Sequence, residues 1–335
     1  MKILRYIGYG LGSLFVLLVA ALLVALWVYR DIPAEELEAK YANEASRFIN
    51  IDGVRIHYRD EGPKDGPVVV LIHAHFASLL GWEPWVEAMK DRYRVIRFDM
   101  TSHGLTGPDP SGDYTVERTV ELTERLIDAL GIDTFTFGGT SLGGTIALHY
   151  ASQHPERVNG LILLSPGSLE GREQIEKRGR PGKSANILHY ILPRALPEFM
   201  LSSAWGKTAP LPPELVDRWY DMWMREGQRE AELERIRQYE PEGIEEVIAS
   251  IQNPVFILWG EANPQARVEQ APMFIALLDD SPSVQLKVYP GVGHMAVQEA
   301  GDITGVDARA FLDGELDLPD ARGEDDERPA PAEEE

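Results

Sequence analysis

Phe135-Thr136-Phe137-Gly138-Gly139-Thr140-Ser141-Leu142-Gly143-Gly144-Thr145-Ile146-Ala147-Leu148 decides how this chain is read. It opens as a short apolar strand, turns at a glycine-rich corner and continues as a helix. The corner contains Gly-x-Ser-x-Gly, with Ser141 between Gly139 and Gly143. A serine on a sharp strand-to-helix turn is held in a strained backbone conformation. Side chains two positions away would crowd that turn, so both flanks are glycine. The hydroxyl then projects above a sheet, and the N–H groups opening the helix point at any oxyanion formed there. Ser141 is therefore the candidate nucleophile.

Two other segments offer it partners. Tyr289-Pro290-Gly291-Val292-Gly293-His294-Met295 follows the last apolar strand. A histidine in a glycine-rich turn there can swing over a neighbouring strand end. This places His294 to take the Ser141 proton and return it to a leaving group. His73-Ala74-His75-Phe76 follows an earlier strand. Backbone N–H groups at such a strand end complete an oxyanion hole together with Leu142 N–H. His75 enters through its backbone. The rings of His73 and His75 read as structural hydrogen-bonding groups, and Asp99 as an anchor for neighbouring loops.

Outward from the corner, residues 47–51 and 54–59 alternate as two strands around Asp52-Gly53, a hairpin-turn pair. Residues 68–72 form a continuous apolar run, as a strand buried on both faces does. Further strands are expected at 93–98, 158–164, 254–259 and 284–289, and helices at 81–92, 116–130 and 304–312. Strands alternating with helices imply an α/β protein with a mostly parallel sheet and helices on both faces. The core is expected over 47–165 and 251–314. Residues 166–250 break the rhythm with a helical, proline-bearing segment that reads as a cap. Most of its apolar residues pack on the core, and some line a pocket at the junction.

The ends differ sharply from this middle. Residues 6–29 are an uncharged run of 24 between Arg5 and Arg30, long enough to span a bilayer core of roughly 30 Å. The run is too long for a signal-peptide core, and no A-x-A cleavage site follows, so it reads as a retained signal anchor. Lys2 and Arg5 lie on one side, and Glu35, Glu36 and Glu38 on the other. The positive-inside bias places residues 1–5 in the cytoplasm and the large domain outside it. Residues 30–46 form a tether. From Glu315 onward ten acidic residues meet two basic ones, so 315–335 is expected to be a disordered tail. The net charge of −22 argues against nucleic acid as a partner. The absence of cysteine excludes disulfides and thiolate metal sites. Arg172, Lys177, Arg178, Arg180 and Lys183 form a basic cluster in this acidic chain. It reads either as a solvated loop or as a patch resting on anionic headgroups.

Residues 47–312 resemble the α/β-hydrolase superfamily in its capped, esterase-like branch. The resemblance is carried by His73, Phe98-Asp99, Gly107-Pro108-Asp109, residues 139–144, Leu258-Trp259-Gly260 and Gly293-His294. It implies an eight-stranded sheet, a helical cap inserted after strand 6 and a serine-histidine-acid triad, with no metal or organic cofactor. Serine at the corner argues against the dehalogenase and epoxide-hydrolase branches, which use aspartate there. Two departures stand out. Ala74 replaces the usual glycine of the oxyanion loop. Asn263 stands where the turn after Trp259-Gly260 usually carries the aspartate, and an amide cannot stabilise the imidazolium that forms on His294. Three readings follow: Asn263 orients His294; Glu261 or Glu170 supplies the acid; or the site is catalytically weak. The reading is a membrane-anchored serine hydrolase acting on a small or medium apolar ester or related acyl compound. The alternative is a domain that binds an apolar ligand or a protein at the same pocket.

Overall fold

The computed structural model describes residues 2–166, 169, 187–240 and 243–323. Eight strands form one sheet: β1 (Ser46–Ile51), β2 (Val54–Glu61), β3 (Val68–Ile72), β4 (Arg94–Phe98), β5 (Phe135–Thr140), β6 (Val158–Leu164), β7 (Val255–Gly260) and β8 (Val284–Tyr289). Their order across the sheet is β1-β2-β4-β3-β5-β6-β7-β8. β1, β2 and β4 pair antiparallel, and from β4 to β8 every pair is parallel. The Asp52-Gly53 hairpin has positive φ at both residues, the backbone twist that a two-residue hairpin favours. Central strands are apolar throughout because helices cover both faces: every residue of β5 and β7 is buried.

Helices α3 (Glu83–Met89) and α13 (Gly301–Asp313), with the one-turn α12 (Ala296–Glu299) beside them, cover one face. Trp85 is fully buried between them, its Nε1–H donating to Thr304 Oγ1 at 2.9 Å. On the other face lie α4 (Val116–Ala129) and α5 (Leu142–Gln153), with the short helices α10 (Ile244–Ala249) and α11 (Ala271–Ala276) beside them. The expected helix at 81–92 is a 3-10 turn followed by α3, whose Pro84 suits a first helical turn. The last long helix begins at Gly301 rather than at 304. α11 had no expected counterpart.

Between β6 and β7 the described chain is helical: α6 (Ile187–Tyr190), α7 (Ala195–Ala204), α8 (Pro213–Trp223), α9 (Gln228–Gln238) and α10. Leu201, Ala204, Leu215, Val216 and Trp219 pack with Ala74, Ala77 and Met295, so the insertion sits on the loops at the C-terminal ends of β3 and β8. The basic cluster at 172–183 and Glu170 lie outside the described residues.

At the amino end, α1 (Lys2–Val28) contains a 20-residue stretch, Tyr9–Val28, apolar and long enough to cross a membrane, and none of it is buried. The following segment is docked rather than loose. Ile32 makes a two-bond bridge with the insertion (Ile32 N–H to Met224 O, 2.7 Å; Glu226 N–H to Ile32 O, 3.0 Å). Asp31 pairs with Arg229 and Lys40 with Asp221, each at 2.5 Å. Leu37, on helix α2 (Ala34–Tyr41), is buried with Leu79, Leu80, Leu105 and Met222. At the carboxyl end the expected disorder does not begin at Glu315. Gln285 Nε2 donates to Leu316 O and Leu318 O, and Ala321 N–H donates to Val284 O at 2.7 Å. Bonds to the edge strand β8 outweigh the acidic composition as far as Ala321. Residues 324–335 lie outside the described residues.

The elbow helix depends on one close approach. A Cβ on Gly143 would sit 2.4 Å from Ile72 O and 2.6 Å from His73 O. Gly143→Ala therefore pushes α5 away from the end of β3. The expected cost is about 1–3 kcal/mol or more, measured as a lower denaturant midpoint with an unchanged m-value.

Candidate active site

Ser141 sits where β5 ends and α5 begins, with φ 52° and ψ −120°. This is left-handed backbone at a non-glycine residue, which costs roughly 1–3 kcal/mol and persists where neighbours impose it. Two bonds impose it here: Ser141 N–H donates to Leu164 O at 3.0 Å, and Thr145 N–H donates to Ser141 O at 3.1 Å. His294 arrives from the loop after β8, 153 residues later, and its Nε2 lies 3.0 Å from Ser141 Oγ. The backbone N–H of His294 donates to Ala204 O at 2.7 Å, so the end of α7 holds the loop in place. Among the described residues, the N–H groups of Leu142 and His75 have no acceptor.

The partner of His294 Nδ1 is Asn263, whose Nδ2 lies 3.0 Å away. The orientation of this amide follows from its other end. Asn263 Oδ1 accepts from Gln265 N–H at 2.9 Å and from Ala266 N–H at 3.0 Å. With the oxygen held by two donors, the NH2 group faces the ring, and Nδ1 must accept. The ring proton then resides on Nε2, pointing at Ser141 Oγ. A general base needs the opposite tautomer, with a free Nε2 lone pair. Switching tautomer puts two N–H groups face to face, a mismatch of about 1–3 kcal/mol.

The candidate acids are placed elsewhere. Glu261 Oε2 accepts from Gly291 N–H at 3.0 Å, bracing the His294 loop rather than its ring. Glu170 lies outside the described residues. With no carboxylate against it, burial pushes the His294 pKa down to about 4.

The neighbouring groups behave as hydrogen-bonding scaffolding. Asp99 accepts from Leu79 N–H at 2.7 Å and Leu105 N–H at 2.9 Å, and meets His57 Nδ1 at 2.7 Å. His73 Nδ1–H donates to Ala74 O, and its Nε2 accepts from Met100 N–H. His57, His103 and Glu232 are buried near this edge and were not singled out by motif. His103 had a signal in its position four residues after Asp99. Glu232 had none, lying in a helix crowded with charge.

A family model described as the alpha/beta hydrolase fold matches residues 67–221. The chain has the α/β-hydrolase fold. Its class is that of a hydrolase. Among its relatives is a 2-hydroxy-6-oxo-6-(2'-aminophenyl)hexa-2,4-dienoic acid hydrolase of Metapseudomonas resinovorans, 27% identical over 85% of this chain and 96% of the relative. Similar solved structures include a bacterial membrane phospholipase A, with TM-score 0.69, 23% identity and coverage of 92% of this chain and 99% of the other. The enol-lactonase from Burkholderia xenovorans LB400 has TM-score 0.67, 21% identity and coverage of 80% and 100%. At such identities the structures share the fold.

The amide at 263 leaves His294 without a facing carboxylate. Neutral His294 is needed for proton transfer, so activity should persist as pH falls and be lost near pH 4. Asn263→Asp keeps the bonds to Gln265 and Ala266 and turns a carboxylate oxygen to Nδ1. It should raise kcat by about 10²-fold or more, towards the ~10⁴ that the reverse change costs a serine protease. The acid limb of kcat/KM should move up towards the ordinary histidine range. Steady-state kinetics from pH 3 to 9, with a small chromogenic ester (~pH 3–9 being the span that brackets both pKa values), checks both.

Proposed function

We propose that this chain is a membrane-anchored serine hydrolase that cleaves small or medium apolar carboxylic esters. The observation that carries the reading is the 3.0 Å contact between Ser141 Oγ and His294 Nε2 at a left-handed elbow. Ser141 Oγ attacks the ester carbonyl and gives its proton to His294 Nε2 once that nitrogen is free. The N–H groups of Leu142 and His75 hold the oxyanion. Collapse of the intermediate expels the alcohol, which takes the proton from Nε2. Water repeats the sequence on the acyl-serine, releasing the acid and restoring Ser141. Asn263 orients the ring and slows the proton transfer.

The helices over residues 166–250 act as a cap on this site, and α1 as its anchor, with the amino terminus cytoplasmic and the enzyme domain on the opposite side. From Val28, the last residue of α1, to the bridged Ile32 is four residues, at most about 14 Å of chain. The cap is thereby kept close to the end of the span, which suits an apolar substrate. The second reading, a domain that binds an apolar ligand or protein partner without turnover, is favoured by the amide at 263 and the tautomer it imposes.

A serine-directed fluorophosphonate probe separates the two. Full-length wild type should be labelled and Ser141→Ala should not, with ester turnover falling by about 10³-fold or more in the variant. Absence of labelling in folded wild type would overturn the hydrolase reading. For the anchor, the full chain should stay in the membrane pellet after alkaline carbonate extraction, and a chain lacking residues 1–30 should enter the supernatant. Retention of the shortened chain in the pellet would contradict α1 as the anchor.

A further inference from the structure

Glu232, on α9, is 2% exposed, and its two oxygens face histidines from two different core loops. Oε2 lies 2.7 Å from His75 Nε2, and Oε1 lies 3.2 Å from His103 Nε2. The three ligand atoms all lie within 4.8 Å of one another. None belongs to the Ser141–His294–Asn263 chain.

The bonds around His103 make this cluster unusual. Its Nδ1–H donates to Thr101 O at 2.9 Å, and its Nε2 accepts from Phe76 N–H at 2.9 Å. The ring is thus held as the Nδ1–H tautomer, with an unprotonated nitrogen facing a carboxylate oxygen. Two lone-pair atoms face each other across 3.2 Å, a contact that a cation bound to both would turn favourable. Donation of the other ring N–H to a carbonyl is the arrangement found behind metal-bound histidines.

We propose that His75, His103 and Glu232 form a binding site for a divalent transition metal of the Zn2+ class. Two imidazoles and one carboxylate suit that class, and three protein ligands leave a further position open. His75, whose side chain is 25% exposed, provides the solvent side. Bond lengths near 2.0–2.1 Å separate tetrahedral ligand atoms by about 3.3 Å. The His103–Glu232 spacing of 3.2 Å already meets this. His75 must draw back from its 2.7 Å contact with Glu232, the widest pair must close from within 4.8 Å, and the His75 proton must move to Nδ1. The ion also takes the lone pair that Phe76 N–H now uses. Phe76 has φ 61° and follows His75 directly, so metal binding reshapes the loop beside Leu142. Glu232 comes from the insertion, and the ion would tie that insertion to two core loops.

The charges opposing a cation are identifiable. Arg235, one turn along α9, bonds Ser102 Oγ, Thr101 O and Tyr114 O. Its guanidinium repels an added ion and keeps the affinity below that of a thiolate zinc site. His73, with its ring centroid 5.0 Å from that of His103, has both ring nitrogens engaged by backbone groups, Ala74 O and Met100 N–H.

The test needs no turnover and so stands apart from the proposed hydrolysis. Full-length protein in detergent is treated with chelator and titrated with Co2+. One equivalent should give visible d–d absorption that Zn2+ displaces, and Zn2+ should raise the unfolding temperature. Both effects should vanish in His75→Ala and in Glu232→Gln, whose metal-free unfolding is checked first, and survive in His154→Ala, which removes a different histidine–glutamate pair. No cobalt band in wild type, or a band and shift that survive His75→Ala and Glu232→Gln, overturns the proposal.

Discussion

The site depends on carrying the His294 ring across the sheet edge from β8 to β5. Three strand spacings separate those strands, about 14 Å at ~4.8 Å each. A five-residue loop covers that gap because its backbone is held from two sides. On the sheet side, Ala262 N–H donates to Val292 O at 2.9 Å, and a Cβ on Gly260 would lie 2.3 Å from Gly293 O. On the insertion side, Ala204 O receives His294 N–H, while Gly206 N–H and Gly293 N–H share Glu299 Oε2. The insertion is therefore part of the frame that points the imidazole at Ser141, and its packing and the position of His294 form one mechanical unit.

Electrostatics at that contact run against the usual arrangement. A buried, neutral imidazole in a region shielded from water would gain most from a facing carboxylate, since charges interact more strongly there. The buried carboxylates near this edge serve other partners: Asp99 gathers two loops and His57, and Glu232 joins His75 and His103. At the position facing His294 the chain places an amide whose oxygen is already taken by backbone. Geometry suited to nucleophilic catalysis thus coexists with a proton inventory that restrains it.

Much of the fold was legible in the sequence because it rests on local, repetitive physics. Continuous apolar runs marked the covered strands, Asp52-Gly53 marked the hairpin, and the glycines around Ser141 marked the corner. The convergence of Ser141 and His294 was legible for the same reason, since parallel strands put their following loops at one edge. Asn263 was identifiable by position, but its amide orientation was not, because that depends on the N–H groups of Gln265 and Ala266. Tertiary contacts also decided what composition misjudged. An acidic tail bonds to β8 up to Ala321, and a charged tether bonds to the insertion through Ile32, Asp31 and Lys40. Glu232 shows the limit most clearly: its significance comes from two histidines 157 and 129 positions earlier, taking 232 − 75 and 232 − 103.

Asn263 is followed by Pro264. Spontaneous deamidation of an asparagine proceeds when the next backbone nitrogen closes a succinimide ring on the side-chain carbonyl, and a prolyl nitrogen has no hydrogen to lose. Gln265 and Ala266 also engage the oxygen of that same carbonyl. Ageing in solution therefore does not turn this residue into aspartate by the common route, and old and fresh preparations keep the same partner for the imidazole. The amide is a chemically durable choice, fixed by the residue next to it.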